Sequence, residues 1–195
     1  MKKAIKIFFL TLLIIVIGMV VVRAMISSDK TVFDDFSVSY ATAEAYHDAG
    51  SDDFTINTLA QKNGRGERGY FMAYSLYHVP ATGEVQITVR YNISGAYNYT
   101  DTDEDESFIF RLYDEENGKY YEPSSSETKT RYGLYRYIKL TFEEVEADQS
   151  TELYLVMENS TTECDRQCVH YKDQPFESYK LKRRDKKEIE RLLAI

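Results

Sequence analysis

Cys164 and Cys168 are the only cysteines in a chain of 195 residues, and only Asp165, Arg166 and Gln167 stand between them. On a helix or turn, that spacing brings the two Cα atoms within the ~4.4–6.8 Å that a disulfide requires. In an exported domain the compartment favours such a bond. A Cys164–Cys168 disulfide is therefore expected, with two free thiols as the alternative. Zinc is disfavoured, because a structural site takes four N or S ligands and His170 is the only imidazole nearby. The other histidines, His47 and His78, are scattered, and a nucleophilic cysteine needs an activating basic partner.

Two further motifs suggest chemistry. Asp101, Asp103 and Asp105 alternate like the start of a calcium loop, but Glu106 stands where the sixth-position Gly belongs and Leu112 where the twelfth-position Glu belongs. An EF-hand is excluded, and these three aspartates remain only as an improvised calcium site set against a solvated acidic loop. Gly64-Arg-Gly-Glu-Arg-Gly69 spells G-x-G-x-x-G. Dinucleotide binding needs that turn to open a helix; here it leads into a strand-like run and reads as a hairpin loop. No H-E-x-x-H, G-x-S-x-G, G-K-[ST] or C-x-x-C occurs. No catalytic residue and no cofactor is assigned. Asn92, Asn98 and Asn159 begin glycosylation sequons, which read as chance matches in a chain whose lysine-led start looks bacterial.

The element that must position everything else is an uncharged stretch from Ile7 to Val22. With its flanks it supplies the ~20 residues a helix needs to cross ~30 Å of hydrocarbon. The expected organisation is a cytoplasmic N-terminus at 1–6, a transmembrane anchor at 7–26, a stalk at 27–34, a β-domain at 35–182 and a basic helix at 183–195. A cleaved signal peptide is the alternative for the first segment. Lys2, Lys3 and Lys6 precede the segment, while Arg23 and Lys30 follow it. That bias keeps the start inside and puts the rest of the chain outside.

Residues 27–179 hold 29 acidic and 13 basic side chains, a net of −16, whereas residues 180–195 carry +4. An acidic body is poorly suited to nucleic acid. The 17 Tyr and 10 Phe, with no Trp, suit strands. Alternation of apolar and polar residues predicts strands at Phe36–Tyr40, Phe54–Thr58, Tyr70–Val79, Val85–Ser94, Phe108–Leu112, Lys119–Tyr121, Tyr132–Phe142 and Leu153–Met157, with a last one at Phe176–Leu181. Ala41–Ala49 suggests a short helix. Pro123–Thr130 and Glu158–Pro175 read as polar connections. Asp185 and Glu188 have capping-box spacing ahead of Ile189, Leu192 and Leu193. The expected fold is mainly β: an antiparallel sandwich, immunoglobulin-like in the loose sense, with a short C-terminal helix.

An N-terminal anchor followed by a β-domain with a cysteine resembles the layout of sortases. Their T-L-x-T-C signature is replaced here by Thr161-Thr-Glu-Cys164, and no His or Arg falls at a telling position. The expectation is a non-enzymatic, membrane-anchored extracytoplasmic binding or accessory module. It would attach to the membrane through residues 7–26 and engage a protein or an envelope polymer. A cell-surface enzyme, such as a cysteine-dependent transpeptidase or a hydrolase, is the rival.

Overall fold

The computed structural model describes residues 2–26, 37–50, 53–62, 66, 71–92, 108–131, 135–159 and 164–172. The chain divides into two compact units, residues 1–36 and 37–195.

The first unit holds helix α1 (Lys2–Ile26). A run without charge, Pro or turn-forming pairs leaves nothing to interrupt the backbone ladder. Its one hydroxyl-bearing residue in the apolar stretch, Thr11, donates to the carbonyl oxygen of Ile7 at 3.0 Å, so even that polar group is satisfied within the helix. The stretch from Ile5 to Arg23 is long and apolar enough to cross a membrane.

The second unit begins with Ser39, whose side chain accepts the Thr42 N–H at 3.1 Å and so caps helix α2 (Tyr40–Ala49). The strand expected at Phe36–Tyr40 is not present in the described residues 37–40. Ser39 turns the chain into the helix instead, and the short helix expected at Ala41–Ala49 is found.

Among the described residues nine strands follow: β1 (Asn57–Gln61), β2 (Phe71–Val79), β3 (Glu84–Asn92), β4 (Phe108–Asp114), β5 (Lys119–Tyr121), β6 (Ser125–Arg131), β7 (Tyr135–Phe142), β8 (Leu153–Asn159) and β9 (Cys164–Lys172). They form one antiparallel sheet in the order β5-β4-β8-β9-β1-β2-β3-β7-β6. The two separate sheets of a sandwich are therefore not what the described residues form.

Connectivity shows why this sheet must curl. Laid flat, nine strands ~4.8 Å apart would set the outer two about 38 Å from each other. Yet β5 and β6, at opposite edges, are joined by residues 122–124 alone, which reach at most ~14 Å. The sheet bends into a half-barrel. Phe71 of β2 meets Phe110 of β4 with ring centres 6.1 Å apart, and Tyr91 of β3 meets Phe108 of β4 at 5.4 Å, across several intervening strands. A bulge in β2 between Ala73 and Ser75 supplies part of the bend.

The concave side is the core. Val85, Ile87 and Val89 of β3 lie there with Leu140 and Phe142 of β7 and with Leu153, Leu155 and Met157 of β8. The β2–β3 hairpin is present as expected. Its turn closes with the Gly83 N–H donating to Val79 O at 2.9 Å, and Gly83 has φ +68 with the Val145 backbone 3.0 Å from where a Cβ would sit. No other residue fits that position comfortably.

The stretches Pro123–Thr130 and Glu158–Pro175, read from the sequence as polar connections, instead hold most of β6 and the whole of β9. The stalk, the Asp101, Asp103 and Asp105 loop, the strand at 176–181 and the C-terminal helix at 183–195 lie outside the described residues.

Candidate functional site

The curl fixes which side chains leave the core on β9. Val169 and Gln167 face inward, so Cys168 and His170 face outward, two residues apart on one side of the strand. Strand β9 lies between β8 and β1. Leu153 pairs with Val169, so Glu152, one step earlier, comes opposite His170. On the other flank, Gln61 pairs with Val169, and Lys62, one step later, comes opposite Cys168, its N–H donating to the Cys168 carbonyl at 3.2 Å. Tyr154 completes the second row as the direct cross-strand partner of Cys168.

The outcome is a compact group of unlike side chains. Cys168 Sγ lies 3.6 Å from His170 Nε2. The ligand atoms of Glu152, Cys168 and His170 all fall within 4.8 Å of one another. Lys62 Nζ pairs with Glu152 Oε1 at 3.3 Å. Cys168 is buried and His170 half-buried, while the side chain of Glu152 is 45% exposed. The group is therefore closed beneath by β9 and open on the Glu152 side.

Burial pushes the Cys168 thiol above its ordinary value, and the charge of Glu152 pushes it further in the same direction, with Lys62 opposing. A thiol held protonated is a poor nucleophile. The Tyr154 phenol is also pushed up, to about 12, first by burial and then by the Cys168 charge. It remains a neutral hydroxyl at ordinary pH.

The expected Cys164–Cys168 disulfide is corrected here. Both residues sit on β9, where four residues of extended chain span about 13 Å, well past the ~7 Å limit for a bridge. Cys168 is a free thiol. Cys164 falls at the pairing position of Glu158, away from the group around Cys168.

Of the described residues singled out in the sequence, Cys168 and His170 come together. His47 lies on the exposed end of α2, paired with Asp48 at 3.7 Å. His78 is buried in β2 with its ring 5.5 Å from that of Tyr171. Of the glycine-rich loop, Gly66 is described: its N–H donates to Phe71 O at 3.0 Å, and it packs directly against the Asp165 carboxylate. Glu152 was not recognised from the sequence. The only available signal was Cys-x-His, which puts both side chains on one face if the segment is a strand.

A row of aromatic side chains leads to this group along the outer face. Tyr120 of β5 stacks on Tyr113 of β4 with ring centres 4.5 Å apart. Tyr113 pairs across to Tyr154 of β8, and Tyr154 to Cys168. Arg166 of β9 lies over the Tyr113 ring at 5.6 Å. Tyr120 is 48% exposed, and Tyr113 and Tyr154 are half-buried. Compared with protein-family models, with curated proteins and with solved structures, the chain matches none.

Proposed function

We propose that this chain is a membrane-anchored extracytoplasmic binding or accessory module, not an enzyme. Helix α1 is the tether, and the curled sheet engages a protein or an envelope polymer outside the cell. The observation that carries this reading is the apolar surface of α1: Ile7, Phe8, Phe9, Leu10 and Leu13 are each at least half exposed. Apolar surface favours leaving water by roughly 25 cal/mol per Å², and lipid is the solvent that suits a helix of this length.

The lysines ahead of α1 favour the start of the chain staying inside. The row Tyr120, Tyr113 and Tyr154, with Arg166 beside it, supports a binding surface. Tyrosine rings offer flat, amphipathic area to a sugar or a peptide at small entropic cost. A cysteine-dependent enzyme working through Cys168 is disfavoured, because burial raises the pKa of that thiol.

Protease added to spheroplasts tests the topology. The β-domain should be degraded while a cytosolic marker survives; complete protection of residues 37–172 would overturn the reading.

A further inference from the structure

We propose that Cys168, His170 and Glu152 form a binding site for a zinc-class divalent cation, with Cys168 Sγ, His170 Nε2 and a Glu152 carboxylate oxygen as its three protein ligands. This goes beyond the tether and does not depend on it.

The donor set is the first argument. One thiolate, one imidazole and one carboxylate match the mixed S, N and O preference of zinc, and three protein ligands leave the fourth tetrahedral position to water. Geometry is the second. With bonds of about 2.0–2.3 Å, the edges of a zinc tetrahedron measure roughly 3.3–3.7 Å. The 3.6 Å between Cys168 Sγ and His170 Nε2 is already such an edge. The widest separation within the group, up to 4.8 Å, has to close by about 1 Å.

Glu152 is the ligand able to make that movement. It sits just ahead of β8, its side chain is 45% exposed, and its present partner is the flexible ammonium of Lys62. The other two ligands need no movement, because adjacent outward positions of one strand hold them.

Charge is the third argument. The thiolate and the carboxylate together neutralise a divalent cation. Binding breaks the Cys168 S–H bond and forms a metal–sulfur bond, and the proton leaves to solvent. No oxidant or reductant takes part. Lys62 is displaced from Glu152 as the ion enters from the open side.

Cobalt(II) titration of the full chain tests the site. The protein is held in detergent micelles, stripped of metal and kept reduced. The expected result is a thiolate-to-cobalt charge-transfer band with the visible absorption of tetrahedral cobalt, both lost when zinc is added. Cys164→Ser should leave both bands intact and Cys168→Ser should remove the charge-transfer band. His170→Gln and Glu152→Gln should each weaken cobalt binding by more than the roughly 10–100-fold that losing an outer-shell partner costs.

The last two side chains are partly exposed, so they carry the test even where Cys168→Ser fails to fold. Absence of the charge-transfer band in the wild-type chain overturns the proposal. So does a band that survives Cys168→Ser, or unchanged cobalt affinity in both His170→Gln and Glu152→Gln.

Discussion

The hydroxyl of Thr42, in α2, donates to the carboxylate of Glu84, at the start of β3, across 2.7 Å and 42 residues of chain. Glu84 is buried on the convex side of the sheet and is surrounded by donors. The Ser39 N–H reaches Oε2 at 3.1 Å, and the Gln86 amide reaches Oε1 at 2.9 Å. The Thr42 proton is committed to Glu84, so Thr82 must donate to Thr42 across their 2.7 Å contact. One carboxylate thus fastens the cap of the helix, its first turn and the neighbouring strand.

Removing that carboxylate should release α2 from the sheet. Glu84→Ala leaves three donors without their acceptor, and a hydrogen bond to a charged group contributes about 1.5–3 kcal/mol. A loss of about 3 kcal/mol in urea unfolding is expected, with faster amide exchange across Tyr40–Ala49. Thr42→Val should cost about 2 kcal/mol alone and far less in the Glu84→Ala background. A coupling near zero in that double-mutant cycle would show that the contact contributes nothing.

A second prediction concerns Gly83. Its φ of +68 disfavours any side chain, and an added Cβ would meet the Val145 backbone at 3.0 Å. Val145 cannot easily yield, because it is buried and its N–H donates to Gly83 O at 2.8 Å. Gly83→Ala should therefore destabilise by more than about 1 kcal/mol. An unchanged urea midpoint would contradict the close packing of the β2–β3 turn against the chain after β7.

How far the structure could be read from the sequence follows from where the polar residues sit. Strand β3 was legible because Val85, Ile87, Val89 and Tyr91 alternate strictly with polar residues, and those four all face the core. Arg136, a charged residue that interrupts the apolar alternation of β7, takes an inward position of that strand, where it pairs with Tyr91. Strand β9 was hidden because two of its inward positions are polar: Asp165 and Gln167 are buried on the concave side. Gln167 serves the bulge, its side-chain oxygen accepting the Ala73 N–H at 2.9 Å, and no local pattern announces that task. Strand β6 was hidden for the opposite reason. It is an edge strand whose Ser125, Ser126, Glu127 and Thr128 are all exposed, so it has no apolar face to detect. The candidate site inherits the first difficulty. Cys168 and His170 share a face only once β9 is known to be a strand, and Glu152 joins them only through the β8–β9 register.

The third prediction rests on His78. Burial lowers its pKa from 6.5 to about 4. The ring packs edge-on to Tyr171, its cross-strand partners are Val85 of β3 and Asn57 of β1, and its Nδ1 has no hydrogen-bond partner among the described residues. Folding therefore favours the neutral imidazole. Above pH 6.5 both folded and unfolded states are neutral at this site, and His78 adds no pH dependence. Between pH 6.5 and about pH 4 the unfolded chain binds a proton that the folded chain refuses, so stability falls as the solution is acidified. Below about pH 4 both states are protonated and the loss levels off at about 3 kcal/mol. Other groups titrate in the same range, so the informative quantity is a difference between two proteins. His78→Phe keeps a ring of similar size and removes the proton site. From urea unfolding at pH 7 and pH 4, the stability of His78→Phe relative to wild type should rise by up to about 3 kcal/mol on acidification. A difference that stays constant between the two pH values would mean that His78 is protonated as readily in the folded chain as in the unfolded one.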